Sequence, residues 1–445
     1  MASTTTRPGA TDARPASGRR MLHPHLKVPF VLLVLCFAAW GAAANLTDVL
    51  VSVFRGIFDM SNFQSALVQF AYYGAYFCLA IPAAFINRRF GYKTGVLTGL
   101  GLAALGGLMF YPASQLLAYL PFLVALFVLA AGLSILETSA NPFVIAMGPE
   151  ENATQRLNLA QAFNPVGANI GVALGALIIL PNLTPGDERE GLQGAELVAS
   201  QERDLSVVLG PYLGIAAVLL VVWLLIAFRK MPTPAEEGEG GALPSRGVLG
   251  RLFANRHYRY GVVAQFFNVA AQTCTWTFTI QYATDVVGAS EEAAGWYLQA
   301  SLLTFLVFRF LMTYLLGIVR PARLLLVMAL LGVALATVAV LSPNLVGLLA
   351  VVGISASLSL MFPTIYGVAL EGLGQDTKFG AAGLVMAILG GALLPLVQGG
   401  VMDVASTQAG YAVTAACLAV VAGYALFDLR SRREAHGSAP VPADR

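Results

Sequence analysis

Leu136-Glu137-Thr138-Ser139-Ala140-Asn141-Pro142-Phe143 decides how the rest of the chain is read. It lies inside an apolar run over 121–147, and Glu137 is the only charge between Lys93 and Glu150. A run of that length can cross about 30 Å of hydrocarbon at ~1.5 Å per residue. A charge at the bilayer centre costs about 2.5–3.5 kcal/mol on insertion scales, so Glu137 must find a partner, take up a proton or face a wet cavity. Two other charges share this setting. Asp48 is alone between Lys27 and Arg55, and Arg309 is alone between Glu292 and Arg320. Ionisable groups within membrane spans mark ion or substrate pathways.

Composition agrees with a membrane setting. The 445 residues are 57% hydrophobic and 11% charged, with a mean hydropathy of +0.73, whereas soluble domains carry about 25% charged residues. Apolar runs lie at 28–44, 63–87, 94–112, 119–147, 157–181 and 207–228, then at 259–284, 293–318, 321–341, 345–370, 379–402 and 408–428. The expectation is an all-α protein of twelve spans. If the N-terminus is cytoplasmic, alternate loops place nearly all of the 26 Lys and Arg inside. The exceptions are Arg55, Arg189, Arg203 and the intramembrane Arg309. A missed helix would scramble that bias, so both termini are expected to be cytoplasmic in an inner membrane. The loops account for the net charge of +2, which gives no reason to invoke nucleic acid.

Residues 1–26 read as a polar tail without a signal-peptide core. A six-helix bundle over 27–228 follows, then a Pro-, Glu- and Gly-rich cytoplasmic linker over 229–258. A second bundle covers 259–428 and a tail covers 429–445. Asn141-Pro142-Phe143 and Phe362-Pro363-Thr364 are weak echoes between the halves, as in folds built from two parallel repeats. The acidic segment 182–206 reads as a solvated connector. Cys36, Cys78, Cys274 and Cys417 lie in separate helices without metal-ligand spacing and read as core packers. His23, His25, His257 and His436 all fall outside the spans, so no imidazole relay, nucleophile–base pair or metal site is expected, and no enzyme or cofactor is implied beyond a coupling proton.

Polar residues recur at helical spacing. Asn45 and Asp48 stand at i, i+3 and Glu137 and Asn141 at i, i+4. Asn158, Gln161 and Asn164 follow in three-residue steps, and Gln265, Asn268, Gln272 and Trp276 line the seventh run. Amides facing lipid would go unsatisfied, so these stripes face protein or water. Interhelical glue explains any one stripe; four from both halves point to a shared central cavity. Amides, carboxylates and an aromatic face such as Trp40, Trp276 or Phe267 suit a polyhydroxylated neutral solute. Organic cations would also suit Asp48 and Glu137, which leaves a drug-export reading open. If the driving ion is a proton, Asp48 or Glu137 must carry it; spacing alone does not exclude a sodium cage. Arg309 reads as a charge-pair, gating or solute-contact residue.

The chain also resembles the fucose permease group of sugar–proton symporters within the major facilitator superfamily. The pieces that carry this are Ala39-Trp-Gly with Asn45-Leu-Thr-Asp48, Phe63-Gln-Ser-Ala-Leu-Val-Gln-Phe70, Leu136 to Phe143, Arg156-Leu-Asn-Leu-Ala-Gln-Ala-Phe-Asn164 and Gly374-Gln-Asp-Thr-Lys-Phe-Gly380. The resemblance implies proton-coupled symport of a neutral monosaccharide by alternating access. Asp48 would link sugar recognition to proton transfer and Glu137 would be the second carboxylate. Asn45, Gln161 and Asn164 would be cavity residues, and Arg309 the intramembrane arginine. Asn141, Gln272 and Trp276 complete the sugar-contact set read from the stripes. Phe362 precedes Pro363 where the fucose carriers have a tyrosine, so the hexose stays open between L-fucose and its relatives. An exporter or a non-transporting sugar sensor on the same fold is the alternative. A path within one chain suffices for a monomer.

Overall fold

The structure, a computed structural model, describes residues 21–57, 62–116, 118–184, 192–231 and 247–437. The side chains over 47–67, that of Asp48 among them, lie outside what it describes. Hydrocarbon offers backbone N–H and C=O groups no water, so each span must close its own hydrogen bonds, and a helix does so. The regular elements among the described residues are accordingly helices. The spans are α1 Lys27–Ile57, then α2 and α3 as the limbs 62–90 and 92–116 of Asn62–Leu116, α4 Tyr119–Ile145, α5 Glu150–Ile179 and α6 Ala195–Phe228. The second set is α7 Arg256–Val287, α8 Glu291–Leu315, α9 Pro321–Leu341, α10 Leu345–Leu370, α11 Gly374–Val404 and α12 Thr407–Gly437.

Ten stretches are long and apolar enough to cross a membrane. One of them holds both α2 and α3, which part at Gly91, where φ of 82° takes the backbone out of the helix. The 32-residue α7 is not among the ten, because Gln265, Asn268 and Gln272 lower its hydropathy. Dividing the one and adding the other gives twelve spans among the described residues.

Two segments differ from their reading as loops. The acidic connector is helical from Ala195 onward, as the first turns of α6. Within it Asp204 is buried rather than solvated, its Oδ1 accepting from Thr184 N at 2.9 Å and Thr184 Oγ1 at 3.0 Å. The far end of the linker forms a short helix, Val248–Ala254, and α7 starts at Arg256; residues 232–246 lie outside the described set. Cys36, Cys274 and Cys417 are buried as expected, whereas Cys78 is exposed.

Proline and glycine shape the interior. Pro142 has no N–H for the carbonyl of Thr138, one turn back in α4, and Asn87 Nδ2 on α2 donates to that carbonyl instead, at 3.3 Å. Pro165 does the same to Gln161, and α5 breaks at Ala162. Pro363 follows a break in α10 at Ser359-Leu360. Small residues let helices touch: a Cβ on Gly171 would lie 2.5 Å from the Ala42 carbonyl of α1, and one on Gly99 would lie 2.5 Å from Leu136 N of α4. These seams fix α5 on α1 and α3 on α4. One apolar core is built largely from α1–α6, with Tyr258, Tyr366 and Phe379 added from later helices; a second lies within α7–α12.

At the end of the bundle that holds Gly91, helices from the two sets bridge. Asn158 Nδ2 on α5 donates to Thr364 Oγ1 on α10 at 3.2 Å, and Gln155 Nε2 donates to the Thr313 carbonyl of α8 at 3.2 Å. Phe85 meets Phe379 edge to face at 5.1 Å, and Lys378 Nζ lies 5.1 Å from the Tyr92 ring. Arg156, fully buried, gathers the end of α4. It donates to the carbonyls of Val144, Ile145, Gly148 and Pro149 and to that of Met21 in the N-terminal segment.

Candidate functional site

The site begins on α4. Helical spacing puts Glu137 and Asn141 on one face, and the Pro142 kink, held by Asn87, sets that face toward α2 and α5. Glu137 is 1% exposed, and neither carboxylate oxygen has a hydrogen-bond partner among the described residues. Asn141 lies beside Glu137 and beside the Tyr366 hydroxyl of α10. Its Oδ1 accepts from Gln161 Nε2 at 2.7 Å, a side-chain link between α4 and α5. The break at Ala162 turns this part of α5 so that Gln161 reaches inward while Asn158, one turn earlier, reaches α10.

On the other flank of Glu137 stands an aromatic group. Tyr76 is an electrostatic neighbour of Glu137, its hydroxyl accepts from Trp40 Nε1 at 2.8 Å, and Tyr72 Oη lies 3.5 Å from it. Tyr76 and Tyr366 are thus electrostatic neighbours of the carboxylate, with the Asn141 amide alongside. Such a layer offers a proton or a solute hydroxyl a place to bind, since a buried acceptor without a partner is costly.

A second group forms on α7, α8 and α10. Trp276 Nε1 donates to Ser355 Oγ at 3.1 Å, and Ser355 pairs with Ser301 at 2.6 Å. The Trp276 ring meets Phe305 edge to face at 5.1 Å, and the Arg309 guanidinium lies over the same Phe305 ring at 4.8 Å. Arg309 is 4% exposed, and its Nε and Nη1 have no hydrogen-bond partner among the described residues. The guanidinium thus rests on an aromatic face, an attraction that strengthens when water is excluded. The two groups approach at Phe163 and Phe310, whose rings meet edge to face at 5.7 Å beside Asn164 and Arg309.

The sequence-derived residues divide as follows. Glu137, Asn141 and Gln161 come into one cluster; Trp276 and Arg309 come together through Phe305. Asn45 and Asn164 are half-buried and bond to backbone, Asn45 Nδ2 to Gly41 O at 3.1 Å and Asn164 Nδ2 to Phe37 O at 3.4 Å. Gln272 is half-buried on the face of α7 that carries Trp276. The Asp48 side chain lies outside the described residues. Tyr76, Tyr366 and Asn87 were not singled out from sequence. A tyrosine in an apolar run reads as an interface aromatic, and the spacing of Tyr72 and Tyr76 at i, i+4 was the available signal. Among the described residues no group of three or more His, Cys, Asp and Glu gathers as metal ligands would.

Comparison with known proteins follows the same lines. Residues 30–369 match the Major Facilitator Superfamily. The L-fucose-proton symporter of Escherichia coli K12 is 39% identical over 406 residues, covering 90% of this chain and 93% of that one. A glucose/galactose transporter of Brucella abortus is 32% identical over 401 residues, with 90% and 93% covered. Among solved structures, the transporter FucP in its outward conformation superposes with a TM-score of 0.85 at 38% identity, over 90% of this chain and 99% of that one. The chain is therefore a multi-pass membrane protein that belongs to the Major Facilitator Superfamily, within its fucose permease group.

Proposed function

We propose that the protein is a proton-coupled symporter of a neutral monosaccharide, L-fucose or a related hexose. The observation that carries this is Glu137, buried beside the Asn141–Gln161 pair with neither oxygen bonded among the described residues, in a chain similar to L-fucose-proton symporters. Glu137, the second carboxylate, takes the coupling proton, and Asp48 joins proton to sugar. Sugar hydroxyls engage Asn45, Asp48, Asn141, Gln161, Asn164 and Gln272, each such hydrogen bond contributing about 0.5–1.5 kcal/mol net. Trp276 covers a C–H face of the ring. Arg309, steadied over Phe305, acts as the gating charge.

Coupling follows from electrostatics. An ionised Glu137 opposes closing a dry layer around it, and a proton removes that charge so that loaded carrier can reorient. Each charge moved through 100 mV is worth about 2.3 kcal/mol. The basic loops put the Gly91 end on the cytoplasmic side of the inner membrane, both termini with it, and one chain surrounded by lipid is the working unit. The relatives are transporters; no catalytic step or resident cofactor enters this account.

The test is uptake of labelled L-fucose, galactose, glucose, mannose and N-acetylglucosamine into proteoliposomes, with and without an inward proton gradient. Concentrative uptake of one sugar only with the gradient is expected. Equal, non-concentrative uptake either way would make the protein a uniporter, and no uptake would favour export or sensing.

A further inference from the structure

The lipid-facing side of the molecule carries a groove of about 430 Å³ between α3 and α6, lined by Thr94, Leu97, Thr98, Gly101, Leu105 and Trp223. Its shape follows from the glycines of α3. At Gly107 the two helices touch, since a Cβ there would lie 3.0 Å from that of Ala216. Toward the Gly91 end the gap is wide enough for an indole, and a Cβ on Gly101 would lie 3.4 Å from Trp223 Nε1. That nitrogen donates to the Leu97 carbonyl at 3.0 Å, which pins the ring as one wall. From Thr94 to Leu105 is about 16 Å of helix at 1.5 Å per residue, close to the hydrocarbon depth of one leaflet.

The Thr94 end of the groove is basic. Lys93 Nζ donates to the carbonyls of Ala227 and Arg229, both at 2.9 Å, which closes the last turn of α6 and draws Arg229 to this spot. Arg89, Arg229 and Lys230 are exposed there. No Asp or Glu occurs over 60–136 or 205–235, and among the described residues no carboxylate pairs with Arg89, Arg229 or Lys230. Phe90 and Phe228 are 59% and 86% exposed at the same level, where aromatic rings favour the headgroup zone.

We propose that this groove binds an anionic phospholipid of the cytoplasmic leaflet, its acyl chain along α3 and α6 and its phosphate at Arg229 and Lys230. The groove alone would accept any acyl chain; the basic end selects for charge, at roughly fivefold in affinity per Lys or Arg near an anionic headgroup. The choice of leaflet rests on the orientation proposed above, whereas the groove and its basic end do not.

The experiment takes the full chain through delipidation, adds equimolar phosphatidylglycerol and phosphatidylcholine, and counts retained lipid by native mass spectrometry. Wild type is expected to retain phosphatidylglycerol preferentially. The double variant Arg229→Gln/Lys230→Gln should lose about tenfold or more of that selectivity, with monodispersity as the check on folding. Thr98→Trp, which fills the groove from an exposed position, should lower retention of both lipids. Equal retention of the two lipids by wild type, or unchanged selectivity in the double variant, overturns the headgroup site. Unchanged retention in Thr98→Trp overturns the groove. The readout is bound lipid, so a chain that fails to transport sugar leaves this proposal standing, and the reverse holds too.

Discussion

Glu137 has polar neighbours and no hydrogen bond among the described residues, which is an arrangement that a purely structural carboxylate would not keep, because an unmatched buried acceptor costs about 1–3 kcal/mol or more. Glu137→Gln keeps the shape and removes the titration. It is expected to abolish concentrative uptake while leaving counterflow exchange measurable; full accumulation by that variant would remove Glu137 from the proton route. Asn87 acts one step back, through the carbonyl that Pro142 frees. Asn87→Ala leaves Thr138 O unpaired in the bilayer interior and should lower stability by about 1–3 kcal/mol, read from thermal unfolding in detergent. An unchanged midpoint would mean that this hydrogen bond contributes nothing. Much of this cluster was legible beforehand, because spacing on a helix says which residues share a face. Glu137 with Asn141 followed from i, i+4. What that face meets is decided by packing of distant helices, and so Tyr76, Tyr366 and Asn87 emerged only in three dimensions.

The helices themselves were largely readable, since hydrocarbon leaves the backbone few other choices. The exceptions have physical causes. The first turns of α6 carry acids that read as a loop until Asp204 is seen accepting from Thr184, and the far end of the linker forms the short helix Val248–Ala254. The breaks in α5 and α10 trace to Pro165 and Pro363, yet which carbonyls find new partners depends on the neighbouring helix. Seams of small residues can be tested directly. Gly99→Leu would drive a side chain into the backbone of Leu136, and backbone on a packed helix cannot step aside. Its expected outcome is loss of monodisperse protein. Gly423→Ala on α12 meets nothing within 4 Å and should be neutral or stabilising by up to about 1 kcal/mol. Equal behaviour of the two in a detergent thermal-shift assay would mean that α3 and α4 are not held as closely as described.

For the whole molecule, alternating access requires that the Gly91 end open, and the hydrogen bonds described across it join neutral groups. Asn158 to Thr364 and Gln155 to the Thr313 carbonyl join the two sets of helices, assisted by Lys378 over Tyr92 and Arg88 over Phe379. The ion pairs found among the described residues, Arg251 with Asp376 and His257 with Asp428, lie within the second set alone. These two hydrogen bonds should respond little to ionic strength, unlike exposed salt bridges. They should also yield by small steps, because a net hydrogen bond of about 0.5–1.5 kcal/mol corresponds to a shift of roughly 2- to 13-fold in a two-state population. Spin labels at the exposed positions Arg89 and Arg323 (one in each set, at this end) would report the opening as a pulsed-EPR distance. Asn158→Ala should increase the long-distance population within that range, and the increase should persist in high salt. A distribution identical to that of the unaltered chain would mean that the Asn158–Thr364 bond does not hold the closed end, leaving the Gln155–Thr313 bond and the aromatic and cation–π contacts of α2, α3 and α11 as what keeps it shut.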